Sequence, residues 1–447
     1  MRSTAFNYTC LEDIVRRADE LGVHIPLSAD LEILRKPLQA GSLSFANRLA
    51  IQPMEGCDGT AAGEPGELTR RRYGRYARSG AALIWLEAVA VDPVGRANPR
   101  QLCISEETAD SFARLISDIK EACIRENGFE PVVIMQATHS GRYSKPCGRP
   151  APWIAYHNPL HEKTPIADDR IITDDALKAL EAAYGKAAGL ARQVGFNGID
   201  VKCCHGYLMN ELLSAYTRPG AYGGSFENRI RCYTNSIRAA RTAAGEGFTV
   251  TSRLNIYDGF PYPYGFGVSP AGGMEPDYDE PLRLIEILHR DLGVGLLDIT
   301  MGNPYQNPHV NRPSVRYGYE AEEHPLAGVA RMYAGTKAVR DRFPDLALLS
   351  SAASFLRQFS GNLAAGALEE GCCSMAGFGR LSFAYPDFAR DLLQKGALEE
   401  KKCCITCGKC TELMRAGSMA GCVVRDQEVY LPLYRRDVQG IPQKEDN

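Results

Sequence analysis

The sequence predicts an α/β fold in which eight parallel strands close into a (β/α)8 TIM barrel. Eight short apolar runs, each typical of a strand buried on both faces, alternate with helix-like segments. Polar side chains recur where these runs end, which is where such barrels place their active sites. A doubly wound open sheet is the alternative, but eight consecutive repeats favour closure. The runs are Leu49–Met54, Ala82–Val89, Pro131–Thr138, Gly198–Cys203, Phe248–Leu254, Gly295–Met301, Leu346–Ala352 and Cys372–Phe378.

The barrel is predicted to carry an extension at each end. Residues 1–46 are assigned to a helix over Cys10–Leu21 and to a hairpin over Leu38–Phe45 that would close the barrel bottom. Residues 47–398 form the barrel, and residues 399–447 form a small cysteine-rich segment and a tail. Helices between the strands are expected over segments such as Thr173–Val194, Asn228–Ala244 and Pro281–Leu292.

Two irregular segments follow predicted strands and are interpreted as active-site loops. Asn255–Pro276 is rich in glycine, proline and aromatic residues, and Met301–Ser314 contains three prolines and three asparagines. Loops at the C-terminal face of a barrel usually carry the groups that select a substrate. We therefore expect both segments to border the active site.

The bulk composition argues against several classes of protein. The chain has 447 residues and a formal net charge of −3, whereas a nucleic-acid-binding protein usually carries a basic surplus. No apolar run approaches the roughly 20 residues that span a bilayer, and Met1–Cys10 does not resemble a secretory signal. We therefore expect a cytoplasmic protein that binds neither nucleic acid nor membranes, and the composition is compatible with a homo-oligomer.

Fifteen cysteines are many for a cytoplasmic chain, and five of them lie close together near the C-terminus. Cys404, Cys407, Cys410 and Cys422 follow the spacing C-x2-C-x2-C-x11-C, which is typical of a 4Fe–4S cluster held by four thiolates. A structural zinc site is the alternative, although zinc sites usually pair two C-x2-C units. Cys403 could replace Cys404 as the first ligand, and the spacing leaves that choice open.

Six predicted strands end in polar or charged residues, and together these residues predict one active site at the C-terminal rim. They are Pro53-Met54-Glu55 after strand 1, Glu87 in strand 2, Gln136 in strand 3, Lys202 with His205 and Tyr207 after strand 4, Arg253 in strand 5 and Arg380 after strand 8. His139 and Arg142 follow strand 3 and are expected near the same rim.

A phosphate site is predicted after the seventh and eighth strands, where barrels commonly bind phosphate. The string Gly377-Phe378-Gly379-Arg380 offers free backbone N–H groups and a guanidinium. The string Ser351-Ala352-Ala353-Ser354 follows the neighbouring strand and offers further N–H donors.

From about Leu38 to Asp426 the chain resembles the old yellow enzyme superfamily, and more narrowly its iron–sulfur branch. That branch includes 2,4-dienoyl-CoA reductase, enoate reductase and trimethylamine dehydrogenase. The first strand, with Asn47-Arg48 and Pro53-Met54, resembles the family strand whose end contacts FMN. The motifs that carry the resemblance further are Q-x-x-H-x-G-R at Gln136–Arg142, HGYL at His205–Leu208 and YGGSxENR at Tyr222–Arg229.

The resemblance implies FMN as cofactor and assigns roles to the rim residues. Gln136 would contact the flavin pyrimidine edge, Arg253 the flavin N1 region, Arg380 the phosphate, and Tyr207 would donate a proton to the substrate. The cofactor-binding set implied in this way is Pro53, Met54, Glu87, Gln136, Arg253, Ala352, Ala353, Gly377, Gly379 and Arg380. The catalytic set is Tyr207, His205 and Lys202.

The sequence departs from the family pattern at two places. Lys202 stands where the family usually has the first histidine of the pair that grips the substrate carbonyl. Because lysine is a strong cation, we expect a substrate with an anionic or strongly polarised oxygen. Ala352-Ala353 stands where the family often has glycine at the phosphate turn, which leaves the identity of the N–H donors open.

The leading functional hypothesis is an ene-reductase that acts on a small molecule with an activated C=C bond. An amine dehydrogenase is the second, for which the aromatic residues of Asn255–Pro276 would form a bowl around a cation. An electron-transfer subunit without its own substrate is the third. No G-x-G-x-x-G fingerprint follows the cysteines. We therefore expect electrons to come from a ferredoxin or reductase partner, or from NAD(P)H that docks directly over the flavin.

Overall fold

The computed structural model describes residues 6–314, 319, 321 and 323–441, and within them it shows a closed barrel of eight parallel strands. The barrel order is β10-β3-β4-β5-β6-β7-β8-β9, which confirms the predicted fold class. The strands are β1 Leu38–Ala40, β2 Leu43–Phe45, β3 Leu49–Ile51, β4 Leu83–Ala90, β5 Val132–Thr138, β6 Gly198–Val201, β7 Thr249–Asn255, β8 Leu296–Thr300, β9 Ala347–Ser350 and β10 Met375–Phe378.

Each of the eight predicted runs coincides with one barrel strand, and β4 and β7 extend one residue beyond the ends of their runs. Almost every residue of these strands is buried, because the inner face packs in the barrel and the outer face packs against helices. The runs overestimate strand length, since β3 ends at Ile51 and β9 at Ser350. The residues that follow these two strands leave the sheet at the rim.

Helices surround the barrel and fill the connections between its strands. The predicted helix over Thr173–Val194 begins where the Thr173 hydroxyl accepts a hydrogen bond from Ala176 N, at 3.2 Å. The helices are α1 Leu11–Leu21, α2 Glu67–Ala77, α3 Ala109–Asn127, α4 Asp174–Gln193, α5 Leu208–Leu213, α6 Phe226–Arg229, α7 Arg231–Ala244, α8 Asp279–Glu286, α9 Pro308–Asn311, α10 Pro325–Arg342, α11 Ser360–Glu369, α12 Arg380–Ala384, α13 Phe388–Lys395, α14 Lys409–Arg415 and α15 Gln427–Asp437. A π-helical turn, Ile287–Asp291, extends α8.

The N-terminal hairpin of β1 and β2 lies across the bottom of the barrel. Leu43 and Phe45 pack in one apolar cluster with the inward-facing residues Trp85 of β4 and Ile134 of β5. The side chains of this cluster are apolar. Many polar groups of the barrel lie instead at its opposite, C-terminal end. Residues 1–5 and 442–447 of the predicted terminal extensions lie outside the described residues.

The cysteine-rich segment is fixed to the barrel by ion pairs. Asp426 accepts hydrogen bonds from Arg71 at 2.7 and 2.9 Å and from Arg75 at 2.6 Å, and both arginines lie on α2. The backbone of Ala420 also donates to the carbonyl of Gly56, at 2.7 Å, just after β3. These contacts hold the segment over the C-terminal face of the barrel.

Within the described ranges, no helix combines the length and the apolar character needed to cross a lipid bilayer.

Candidate active site

A cavity lies at the C-terminal ends of the barrel strands. Its empty space is about 1180 Å³, which includes the part that is open to solvent. It is lined by both apolar and charged side chains, as expected for a cofactor site at this face. The predicted site residues that line it are Pro53, Met54, Gln136, Lys202, His205, Tyr207, Arg253, Ala352, Gly377, Gly379 and Arg380. The structure therefore brings together residues from β5, β7 and β10 and from the four segments that follow β3, β6, β9 and β10.

Gln136 is held by a carboxyl group from the neighbouring strand. Its Nε2 donates to Asp200 Oδ2 at 2.7 Å, and Trp85 Nε1 donates to the same oxygen at 3.0 Å. Burial raises the pKa of Asp200 to about 7. Because the amide nitrogen is engaged, the amide oxygen of Gln136 is the group left to accept a hydrogen bond from a ligand in the cavity.

Arg253 is paired with a second buried carboxyl group, Asp298 of β8. The two groups approach to 3.1 Å between Arg253 Nε and Asp298 Oδ2. Gln52 Nε2 donates to Asp298 Oδ1 at 2.9 Å, and the Ser351 hydroxyl donates to it at 3.2 Å. Burial raises the pKa of Asp298 to about 6, while Arg253 opposes that rise.

The proposed phosphate end lies where β9 and β10 end. Ala352 has φ +74°, a left-handed conformation that glycine adopts without strain. This explains why glycine would suit the position, and it shows that alanine tolerates the turn at some cost. Arg380 lines the same end of the cavity, where its guanidinium also donates to the carbonyl of Pro313 at 3.1 Å.

His205 is held in a strained backbone conformation beside the cavity. Its φ is +66°, which is uncommon for a residue with a side chain. Its Nε2 is shielded from solvent and has no hydrogen-bond partner among the described residues. Burial lowers the pKa of His205 well below its usual range, so the ring is neutral at neutral pH. Backbone strain and an unpartnered ring nitrogen are typical of a side chain that binds a ligand.

Tyr207 and Lys202 lie together on the cavity wall. The Lys202 ammonium is 3.9 Å from the centre of the Tyr207 ring, and it makes no hydrogen bond within the described part of the chain. The Tyr207 hydroxyl is 3.1 Å from the Tyr305 hydroxyl. Burial raises the pKa of Tyr207 well above its usual range and lowers that of Lys202. Tyr207 is therefore protonated at neutral pH, as a proton donor must be.

The structure does not support a flavin contact for Glu87. A β-bulge between Leu86 and Ala88 shifts the register of β4, and Ala88 lines the cavity instead. The Glu87 carboxylate forms a buried ion pair with Arg72 and accepts from Gly56 N at 2.8 Å. Ala353 also lies outside the cavity lining, although its neighbours Ala352 and Ser354 both line it.

Neither His139 nor Arg142 lines the cavity. His139 is buried, and its Nδ1 accepts from Gly141 N at 3.1 Å. Arg142 forms a buried ion pair with Glu211 and a further pair with Glu162 at 3.1 Å. His139 and Arg142 therefore stabilise the loop after β5 and do not line the cavity.

Only one of the two predicted loops borders the cavity. Met301–Ser314 contributes Pro304, Tyr305, Asn311 and Arg312 to the lining, whereas no residue of Asn255–Pro276 lines it. The aromatic side chains of Asn255–Pro276 pack elsewhere, for example Tyr262 against Tyr216 at 4.8 Å between ring centres. The segment Asn255–Pro276 therefore does not line this cavity but contacts the loop that does, since Asn307 Nδ2 donates to the carbonyls of Asp258 and Gly259 at 2.8 and 3.1 Å.

Sequence reasoning missed four polar residues that build the site, Gln52, Asp200, Asp298 and Tyr305, whereas it placed Glu55 at the rim. A carboxylate inside an apolar strand run was a usable signal for Asp200 and Asp298, because buried charges need partners. Glu55 lines the cavity and accepts from Asn98 at 3.1 Å. Tyr305 meets Tyr207 across 98 residues of sequence, which no local pattern predicts.

A second cavity lies beside the first, under the cysteine-rich segment. Cys404, Cys407, Cys410 and Cys422 all line it, whereas Cys403 does not. Cys403 is fully buried, and its sulfur lies 3.4 Å from the carbonyl of Glu399. Among the described residues, no three His, Cys, Asp or Glu side chains are grouped closely enough for a single metal ion.

The two cavities share a wall. Cys410, Arg380 and Phe383 line both of them. The loop Met301–Ser314 is also tied to the cysteine-rich segment. Ser314 Oγ donates to the carbonyl of Thr406 at 2.7 Å, and Arg415 of α14 donates to the carbonyl of Pro304 at 3.2 Å.

The sequence pattern of the NADH:flavin oxidoreductase / NADH oxidase family matches residues 33–263, just over half of the chain. The chain belongs to this family. This family member is therefore a flavin-dependent oxidoreductase, and the resemblance to the old yellow enzyme superfamily is confirmed. It is 27% identical over 265 residues to an NADPH dehydrogenase of Clostridium acetobutylicum, across 58% of this chain and 71% of that protein.

Two solved structures of related folds are longer than this NADH:flavin oxidoreductase family member. A 2-naphthoyl-CoA reductase complex superimposes with a TM-score of 0.72 and 17% identity over 88% of this chain and 57% of the other. A 6-hydroxypseudooxynicotine amine oxidase of Pseudomonas geniculata N1 gives a TM-score of 0.70 and 20% identity over 90% and 56%. The chain thus spans little more than half the length of either structure, and these likenesses concern the fold.

Proposed function

We propose that the protein is an FMN- and 4Fe–4S-dependent ene-reductase that reduces an activated C=C bond. The observation that carries this proposal is that one cavity holds a protonated Tyr207, the unpartnered His205 Nε2 and the Lys202 ammonium beside Gln136, Arg253 and Arg380. The first three residues suit a polarised carbonyl and a proton transfer, and the other three suit a flavin.

The donor set fits FMN along its whole length. The Gln136 amide oxygen would accept from the pyrimidine edge, Arg253 would stabilise negative charge at N1, and Arg380 would bind the phosphate. Pro53, Met54, Ala352, Gly377 and Gly379 would pack against the ring and the phosphate chain. A side chain at position 377 would approach the Ser350 carbonyl to 2.5 Å, so glycine is needed at this wall.

This chain's own residues would bind and protonate the substrate. A bound flavin supplies hydride to the β-carbon of the substrate, which leaves negative charge on the α-carbon and the carbonyl oxygen. His205 and Lys202 would hold that oxygen, and Tyr207 would donate its proton to the α-carbon. Tyr305, at 3.1 Å from the Tyr207 hydroxyl, is placed to return a proton to it.

The cysteine cavity fits a 4Fe–4S cluster with Cys404 as the first ligand. Four thiols from two stretches of chain face one cavity, and a cluster of several atoms needs such a space between its ligands. Because Cys410 lies on the wall shared with the flavin cavity, a cluster there would lie beside the flavin. A cluster beside the flavin would accept single electrons from a donor such as a ferredoxin. The alternative donor is NAD(P)H that docks over the flavin.

A cationic amine substrate fits the cavity less well than an enone or enoate. Lys202, Arg312 and Arg415 all line the cavity, and like charges repel a cation. The aromatic residues expected to form a bowl for a cation lie outside the lining. Charge at the rim therefore favours an anionic or strongly polarised substrate.

The Lys202→Met variant should lower kcat/KM for an α,β-unsaturated carboxylate about 10- to 100-fold, because a hydrogen bond to a charged group contributes about 1.5–3 kcal/mol. A neutral cyclic enone should lose less. The matched control is Lys178→Met on the exposed face of α4, which should behave as wild type. Near wild-type turnover of the carboxylate by Lys202→Met would show that Lys202 does not bind the substrate.

The function itself is tested by mixing the anaerobically reduced holoenzyme with a panel of enones and enoates and following flavin reoxidation. An ene-reductase is expected to reoxidise with formation of the saturated product. If no member of the panel reacts and amines instead reduce the oxidised enzyme, the amine dehydrogenase hypothesis replaces this proposal.

A further inference from the structure

Asp298 is a buried carboxylate that has no role in the proposed reaction. It lies in β8 and is 0% exposed, and one of its oxygens is 3.1 Å from the Arg253 guanidinium. Arg253 lines the flavin cavity, whereas Asp298 stands behind it in the barrel. A carboxylate in this position is the nearest negative charge to the cation that faces the flavin.

The contacts around Asp298 fix both groups of the pair. Gln52 Nε2 and the Ser351 hydroxyl both donate to Asp298 Oδ1, at 2.9 and 3.2 Å. The Ser351 hydroxyl also accepts from Arg253 Nη2 at 3.4 Å. These contacts hold the carboxylate beside the guanidinium, with Ser351 bridging the two groups.

The charges of Arg253 and Asp298 determine how the pair affects the reduction potential of a flavin. A cation at the N1 region stabilises the anionic reduced flavin more than the neutral oxidised flavin, and so raises the reduction potential. A carboxylate at 3.1 Å from the same cation offsets part of that field, and it does so strongly because both groups are removed from water.

We propose that Asp298 sets the reduction potential of the bound flavin by holding Arg253 and offsetting its charge. Asp298 is thus a positioning residue that keeps the flavin a stronger reductant than Arg253 alone would allow. This inference rests on the proposed flavin site. It adds to that site a residue that never touches the substrate.

The test is the flavin midpoint potential of purified Asp298→Asn holoenzyme, measured by anaerobic dye-linked titration. Asparagine keeps the size of the side chain and an acceptor for Gln52 and Ser351, but it removes the charge. We expect at least a tenfold gain in the preference for reduced over oxidised flavin, which is a rise of about 30 mV for a two-electron couple. The quotient of the oxidised-flavin and reduced-flavin dissociation constants should rise by the same factor.

Asp174→Asn is the matched control, because it removes a carboxylate charge from an ion pair with Arg218 that lies outside the cavity lining. Its flavin potential should stay close to wild type if the charge beside Arg253 is the cause. If Asp298→Asn does not fold, Asp298→Ser is also neutral and should show the same rise. An unchanged or lowered potential in a flavin-loaded neutral variant, or an equal rise in Asp174→Asn, would overturn the inference. A wild-type protein without flavin would instead overturn the proposed function.

Discussion

Tyr207→Phe is expected to slow the oxidation of the reduced enzyme by an activated alkene roughly 10²- to 10⁴-fold, the usual contribution of a positioned acid. The phenol is buried, protonated and inside the cavity, and phenylalanine removes its proton while keeping the ring that Lys202 contacts. Stopped-flow mixing of anaerobically reduced enzyme with a cyclic enone measures this step directly. Reduction of the flavin by dithionite should be unchanged.

Tyr305→Phe is the matched control for this experiment. Tyr305 donates to or accepts from the Tyr207 hydroxyl at 3.1 Å, so its loss removes a partner but leaves the proposed donor in place. We expect a smaller decrease in the same rate than for Tyr207→Phe. If Tyr305→Phe is the more damaging change, Tyr305 is the proton donor and the assignment of Tyr207 is wrong.

Cys404→Ala should abolish the iron–sulfur cluster, whereas Cys403→Ala should retain it. Cys404 lines the same cavity as Cys407, Cys410 and Cys422, while the Cys403 sulfur contacts the Glu399 carbonyl outside that cavity. Iron and acid-labile sulfide contents of the two variants, purified without oxygen, measure the difference. Retained iron in Cys404→Ala with loss in Cys403→Ala would reverse the assignment, and zinc without iron in the wild type would establish the alternative metal.

Loss of the cluster should also disturb substrate binding. The loop Met301–Ser314, which carries Tyr305, is tied to the cysteine-rich segment through the Ser314 contact with Thr406 and the Arg415 contact with Pro304. A segment that loses its cluster is less well ordered, because metal binding contributes to folding. The Cys404→Ala variant should therefore show a higher KM for the alkene, whatever electron donor is used.

The barrel could be predicted from sequence because parallel strands buried on both faces leave continuous apolar runs. The runs at Gly198–Cys203 and Gly295–Met301, for example, contain β6 and β8 with errors of at most two residues at either end. The rim residues Gln136 and Arg253 followed from the same pattern, since the end of a parallel strand determines which face a residue reaches.

The errors have local physical causes. Glu87 lies at a β-bulge, and a one-residue shift of register turns a side chain to the other face. The segment Asn255–Pro276 has the composition of an active-site loop, but Tyr262 packs against Tyr216 and Phe260 against His161, outside the cavity lining. Composition predicts that such a segment is irregular, and only the folded chain determines which cavity it borders.

Other parts of the site depend on contacts between distant parts of the chain. The approach of Tyr305 to Tyr207 and the support of Arg253 by Asp298 both join separate barrel segments. The choice between Cys403 and Cys404 is of the same kind, because their spacings are almost equivalent and only the folded chain determines which of the two lines the cavity.

The most direct test of the account is the anaerobic absorption spectrum of the freshly purified protein, before and after reduction with dithionite. We predict flavin bands on a broad brown shoulder, both of which bleach on reduction, from one cavity that holds FMN and a second that holds the cluster. Flavin bands without the shoulder would contradict the cluster alone. A folded protein with no flavin would contradict the central claim that the cavity at the barrel rim is a flavin site.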